Sequence, residues 1–364
     1  MSINRQTVPV VMTKRFLKEL SVLNKVKNAD KTVEVIFSSG MLQVNIPIEV
    51  GMNLTYPLKG NICSAVNINC MVLNRVLSSL DSKLEIHFEI HEKFLKILQD
   101  NDFFELPIST NKVRLIEHFI PSNKLTVSFD EFMSNVKQTN AICLKDSTRP
   151  ALTGSFLNIT DKVLVGTDSY SMIKSDRMSS LKCSGEFEDI ILPFNVISLL
   201  LKHFDKNGCE QLIIEDEKVG ERLRISFNNL SFIFNSAYGI FPKYQPFFSA
   251  KSELTILTEA INVKDLIKKL NKIKKFTTQA IVDFDKNLLS TYSQTNDNYI
   301  KYSIEFKCIS KREEVTVINV NRFLAILKAL DFKNVFISYK DNILQLWSNE
   351  NNTIGVSILQ RIKQ

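Results

Sequence analysis

Carboxylates close enough to share a divalent cation occur at Asp283 and Asp285 and in the run Glu215, Asp216 and Glu217. Hard oxygen donors of this kind are what a metal-dependent nuclease uses. Both groups flank strand-like sequence and read as solvated turns, and a metal site would need further carboxylates to converge on them. His87 and His91 lie in LEIHFEIHEKF, which alternates like a strand and lacks the H-E-x-x-H order of a zinc helix, so a structural or surface role is expected. The six cysteines, Cys63, Cys70, Cys143, Cys183, Cys209 and Cys308, include no C-x-x-C pair. That is neither a zinc spacing nor the framework of a secreted disulfide-stapled domain, and reduced, partly buried thiols are expected. No G-x-x-x-x-G-K-[ST] phosphate loop, G-x-G-x-x-G turn or G-x-S-x-G elbow is present, and only ten glycines are available to build one. The residues therefore predict no catalytic site, no metal and no cofactor. What remains is cationic: Lys264, Lys268, Lys272 and Lys275 recur at helical spacing. Such a stripe is either the solvated face of an ordinary amphipathic helix or a row of phosphate contacts.

A stripe needs a helix, and the sequence offers six. INVKDLIKKLNKIKKF places Val263, Leu266, Ile267, Leu270 and Ile273 at i, i+3, i+4 spacing as an apolar stripe beside the lysine one. MTKRFLKELSVLNKVK and SFDEFMSNVKQTNAICL open the two preceding thirds in the same way. Ser128 with Glu131 has the capping-box pattern that satisfies free helix N–H groups, and Asn262 with Asp265 is a weaker version. A second helical pattern also occurs three times, from Cys70 to Leu80, Phe194 to Phe204 and Val320 to Leu330, at offsets of 124 and 126 residues. Strand-like runs rich in β-branched and aromatic residues follow each copy. Self-similarity of this kind predicts three α+β domains of like architecture, 1–122, 123–246 and 247–364, each with two helices packed on antiparallel sheets. The junctions fall at the polar stretch around Pro121, Ser122 and Asn123 and in the turn-rich FPKYQPFFSAKS. At 364 residues the chain exceeds what one core usually organises. Its apolar fraction of 44% and charged fraction of 23%, with no bilayer-length apolar run and no signal-peptide h-region, predict a soluble cytoplasmic protein. The net charge of +7 divides by thirds as +2, −1 and +6, so the excess sits in the last.

The stretch RPALTGSFLNITDKVLVGTDSYSM, Arg149 to Met172, resembles the second domain of the bacterial DNA polymerase III beta subunit family, the sliding clamps. In that family R-x-x-L-x-G opens a strand pair and T-D-G-H-R-L follows. The matching positions are Arg149, Leu152, Gly154, Thr167 and Asp168, and FPKYQP, Phe241 to Pro246, is similar to the family's F-P-D-Y. The resemblance covers the whole chain in architecture and residues 128–247 in specific motif. The chain departs from the pattern at Ser169, Tyr170 and Ser171, where the family has glycine, histidine and arginine. Lys243 replaces the F-P-D-Y aspartate, QRIKQ replaces M-P-M-R-L, and the first domain has no second R-P-x-L-x-G copy.

The resemblance implies a DNA clamp fold and a non-enzymatic accessory subunit of DNA polymerase, a head-to-tail homodimer whose six domains close a ring lined by twelve helices. Twelve helices at about 10 Å spacing enclose, after allowance for their radius, a hole of roughly 28 Å, wide enough for hydrated duplex DNA. Basic helix residues would then meet phosphates without reading bases. The candidates are Lys14, Lys18 and Lys25, Lys137, Lys202, and the stripe of Lys264, Lys268, Lys272 and Lys275. The resemblance also implies a hydrophobic cleft that receives short peptides of polymerases, the clamp loader and repair proteins. Its matching positions are Leu152, Thr167, Ser169, Tyr170, Ser171, Met172, Pro242, Phe247, Ile358 and Gln360. Ordinary core packing is the competing reading of Leu152, Phe247 and Ile358. Because Tyr170, Ser171 and Gln360 differ from the usual residues, an altered peptide preference is expected. The alternative to a ring is an open-groove DNA-binding protein that uses the basic last third.

Overall fold

Among the described residues, apolar positions spaced three and four apart fold into six α-helices: α1 (Val10–Leu20), α2 (Cys70–Ser79), α3 (Phe129–Asn140), α4 (Phe194–His203), α5 (Val263–Ile273) and α6 (Val320–Leu330). The computed structural model describes residues 5–21, 23, 32–38, 40–47, 51–60, 63–109, 119–144, 148–175, 177–203, 209–217, 222–228, 230–248, 255–256, 258–291, 302–305, 307, 315–330, 332–340, 343–348 and 354–358. Among them no helix is long and apolar enough to cross a membrane. The chain divides into two compact units, Met1–Asp130 with Lys182–Phe187 and Ser198–Ser236, and Glu131–Leu181 with Glu188–Ile197 and Ala237–Gln364.

In the first unit alternating sequence builds two antiparallel sheets. One has nine strands in the order Lys182–Ser184, Pro121–Ser128, Gln211–Glu217, Arg222–Phe227, Leu230–Asn235, Gly51–Pro57, Met41–Pro47, Thr32–Ser38 and Ser64–Asn69. The other has four, Gln6–Val8, Ile86–Ile90, Phe94–Gln99 and Asp102–Pro107. Helices α1 and α2 pack on each other, and Phe16 of α1 meets the Tyr56 ring edge-on at 4.9 Å. Tyr56 donates to Glu19 Oε2 at 2.6 Å while Arg15 holds the other oxygen at 2.7 Å, so this buried carboxylate is satisfied on both sides. Burial, with the Glu19 charge beside it, pushes the Tyr56 hydroxyl well above its usual range and keeps it a neutral donor.

The second unit has the same two kinds of sheet. One sheet has nine strands, Ile190–Pro193, Gly154–Asn158, Val163–Thr167, Ser171–Lys174, Ile354–Ile358, Ile343–Trp347, Asn334–Lys340 and Thr255–Ile256, with Ile261–Asn262 also pairing Asn334–Lys340. Ser171–Lys174 therefore lies against a strand from the far end of the chain, with Met172 opposite Val356. A four-stranded sheet joins Ser303–Glu305, Leu288–Thr291, Gln279–Asp283 and Val315–Asn319. Leu266, Leu270 and Ile273 of α5 and Phe323, Leu327 and Leu330 of α6 fill the core beside these sheets. The expected stripe of α5 is the buried one, Ile267 at its partly buried edge.

The expected α+β class, helices packed with antiparallel sheets, is the one observed, with corrections at helix ends. Pro9, which fixes φ near the helical value and lacks an N–H, starts α1 two residues before Met12. Helix α3 stops at Asn140, four residues short, where Ile142 N turns back to Thr139 O. Lys274 caps α5, so Lys275 stands beyond the helix that its stripe belongs to. The capping pattern at Asn262 forms, its Oδ1 accepting from Asp265 N at 3.1 Å. The Glu131 carboxylate accepts from Ser179 N at 2.8 Å and Ser180 N at 3.1 Å. Cys70, Cys143 and Cys209 are buried and Cys63 and Cys183 exposed, none of them in a disulfide, while Cys308 lies outside the described residues.

Candidate functional site

The strands Val163–Thr167 and Ser171–Lys174 are joined by a turn that its own side chains hold shut. Asp168 Oδ1 accepts from Tyr170 N at 2.9 Å and Ser171 N at 2.6 Å, the short-range bonding that suits aspartate to turns. Thr167 Oγ1 donates to Ser171 O at 2.8 Å and accepts from Ser169 N at 3.1 Å. Ser169 carries a positive φ of 76°, a conformation that costs a residue with a Cβ and costs glycine nothing. From outside the turn, Arg149 Nη1 donates to Ser169 Oγ at 3.1 Å. Arg322, in the first turn of α6, donates from Nε to Asp168 Oδ2 at 2.9 Å, and its guanidinium carbon lies 4.0 Å from the centre of the Tyr170 ring.

Beside the turn lies an apolar cluster of Val163, Val165, Met172, Ile191, Phe241 and Tyr244, against which the partly buried Phe247, Phe248 and Ile343 pack. FPKYQP anchors here by its aromatic residues: Phe241 stacks on Phe156 at 4.6 Å and 8°, and Tyr244 donates to Asp161. Burial, then that hydrogen bond and the Asp161 charge, raise the Tyr244 pKa and keep its proton in place. Pro242 and Lys243 between them face solvent. Gln345 Nε2 donates to Phe247 O at 3.1 Å, and its buried Oε1 finds no partner among the described residues. Lys174 extends over the Phe248 ring at 5.1 Å, and burial pulls its pKa down.

Of the cleft positions expected from the sequence, Met172 and Phe247 meet in this cluster. Thr167 and Ser171 are buried at the base of the turn, Ser169 is half-buried, and Tyr170 is exposed on its rim. Leu152 is buried at the end of the 3-10 turn Pro150–Leu152, which follows Arg149. Ile358 pairs its backbone with Ile343, and Gln360 lies outside the described residues. Sequence reasoning missed Ile343, Gln345 and Arg322. The alternation of NILQLW marks Ile343 and Gln345 as strand residues of one face, but nothing in the helix pattern of VNRFLAILKAL sets Arg322 apart.

Most of the described cationic candidates lie on exposed helix faces. Lys14 and Lys18 on α1, Lys137 on α3 and Lys264, Lys268 and Lys272 on α5 are exposed, as is Lys275 after it. Lys202 belongs to α4, and Lys25 lies outside the described residues. Arg75 of α2 and Lys328 of α6 are exposed too, and the sequence reading passed them over. Four of the five carboxylates singled out as metal candidates have other partners. Glu215 pairs with Arg224 at 2.7 Å, Glu217 with Arg222, Asp216 accepts from Asn123, and Asp283 from Lys286 Nζ at 3.1 Å. His87 is bonded to Thr7 at 2.8 Å and His91 stacks on Phe94. Among the described residues no three His, Cys, Asp or Glu side chains gather as metal ligands.

The DNA polymerase sliding clamp of Pseudomonas aeruginosa superposes on 99% of this chain and 100% of its own, with a TM-score of 0.82 at 14% sequence identity. The chain has the bacterial sliding-clamp fold. A clamp from Bartonella birtlesii, a DNA polymerase III subunit beta bound to griselimycin, gives a TM-score of 0.81 at 16% identity over 99% and 100% of the two chains. The beta subunit of Thermotoga maritima gives 0.79 at 14%, over 98% and 100%. No protein-family model and no curated protein sequence matches the chain. The likeness in fold thus spans the full length of the chains at 14% to 16% sequence identity.

Proposed function

We propose that the chain is a sliding clamp, a processivity factor without a catalytic site of its own that encircles duplex DNA in the cytoplasm and tethers DNA polymerase and other replication or repair proteins. The observation that carries this reading is the likeness in fold, over the full length of both chains, to proteins named DNA polymerase sliding clamps. In this reading the thirds 1–122, 123–246 and 247–364 are the three clamp domains. Two copies join head to tail, and such a heterologous interface must close on itself to avoid filaments.

Lys14, Lys18, Lys25, Lys137, Lys202, Lys264, Lys268, Lys272 and Lys275 supply phosphate contacts that leave the DNA free to slide, because they read no base. The apolar cluster around Met172 and Phe247, with Leu152, Thr167, Pro242, Ile358 and Gln360 and the turn Ser169–Ser171, receives short peptides of the polymerase and the clamp loader. Apolar anchors supply most of the binding energy in such pockets. The test is topological. Protein loaded on nicked circular DNA stays bound through gel filtration, and cutting the circle once releases it; equal retention on circles and linear DNA would instead identify an open groove.

A further inference from the structure

Two guanidinium groups are fastened to the turn between Thr167 and Ser171, and a single carboxylate in that turn answers them. Arg149 reaches Ser169 Oγ, and Arg322 reaches Asp168 Oδ2 through Nε at 2.9 Å. Arg322 uses only that one N–H, and neither of its terminal amino groups meets an acceptor among the described residues. The Tyr170 ring covers one face of the group at 4.0 Å, and the side chain remains 32% exposed. The described residues therefore leave the Nη edge without an acceptor. Asp168 does not compete for it, because its oxygens are taken by the Nε–H and by two backbone N–H groups of its own turn. A guanidinium with both Nη groups unused is a carboxylate receptor: two N–H bonds match the two oxygens of an acid. An aromatic wall on one side strengthens such a pair relative to one fully in water.

The geometry points to Arg322 as the residue that sets the specificity of the cleft, selecting partner segments that carry an aspartate or glutamate side chain beside their apolar anchors. This rests on the reading of the cleft as a peptide site. The acid is a side chain and not a chain terminus, since an internal segment can offer one wherever it lies in its protein.

The experiment uses the whole protein and fluorescent peptides, acetylated and amidated at their ends, with two leucine anchors and either Glu or Gln next to them. Wild-type protein binds the Glu peptide about ten-fold more tightly at low salt, the worth of one charge-assisted pair. In Arg322→Gln the ratio of the two affinities falls to near one. Arg322→Lys, which keeps the charge and loses the fork, gives an intermediate ratio and serves should the glutamine variant melt early. A ratio unchanged in Arg322→Gln, or equal affinities in the wild type, overturns the inference and leaves the cleft standing. A Gln peptide with a free C-terminal carboxylate that recovers the full preference overturns the side-chain assignment. Failure of the wild type to bind either peptide overturns the peptide-cleft reading, and this inference with it.

Discussion

Ser169 stands where the clamp motif has glycine, and it keeps the glycine conformation, with φ at 76°. The turn is held by bonds from Thr167 and Asp168, whose positions match the motif, so the left-handed geometry forms without the residue best suited to it. Ser169→Gly is expected to stabilise the protein by about 0.5 to 1 kcal/mol, the left-handed strain relieved less the entropy that glycine adds to the unfolded chain. Urea unfolding followed by circular dichroism measures this; a lower midpoint would show that the bond from Arg149 matters more than the strain. Cys143 makes a second case. Enclosed by Thr139, Gly154 and Ser155, its thiol is pushed by burial up to about 12, whereas Cys63 and Cys183 are exposed. Brief alkylation at pH 8 followed by peptide mass mapping is expected to label Cys63 and Cys183 and to spare Cys143, because the thiolate is the reactive form. Motif positions were legible at this scale and long-range partners were not: Asp168 and Arg322 meet across 154 residues, and helical spacing assigns an arginine to a face without naming what it touches.

Local periodicity was enough to find all six helices, because each buries a 3.6-residue apolar stripe. Their ends were less legible, since a cap is decided by which acceptor arrives first. Asn262 caps α5 through its own side chain, and Asn262→Ala is expected to cost about 1 kcal/mol in a thermal or urea melt. Glu131 follows a capping pattern yet serves the turn at Ser179 and Ser180, a partner 48 residues away that no local pattern could reveal. Burial alone would raise its pKa, but the hydrogen bonds from Ser180 and Ser179 outweigh burial and hold it below 4.5. A depressed carboxylate stabilises the fold above its unfolded pKa, and that contribution is lost as pH falls through the folded value. Glu131→Gln is therefore expected to be less stable than wild type at pH 7, with the gap closing as pH drops below about 4.5. A gap that stays constant from pH 7 to 3 would mean that the charge is irrelevant. The sheets were the least legible elements: alternation marks a strand and its faces, but nothing local pairs Ser171–Lys174 with Ile354–Ile358 from the end of the chain.

At the scale of the molecule, the ring and the open groove place the same lysines against the same phosphates, so affinity alone does not separate them. Salt and topology together do. Each phosphate contact contributes about 0.9 to the slope of log K against log salt on duplex DNA. Changing the exposed Lys264, Lys268 and Lys272 to alanine is expected to lower that slope by up to about 3 per protomer in equilibrium binding, with little change in stability because none of the three is buried. In a groove binder the triple variant would also leave circular DNA sooner. In a closed ring the lysines attract DNA but do not retain it, so once loaded on a nicked circle the variant should remain as long as wild type in 0.5 M salt, and both should depart when the circle is cut. Loss of the variant from intact circles at that salt, with wild type retained, would mean that charge and not closure keeps the protein on DNA.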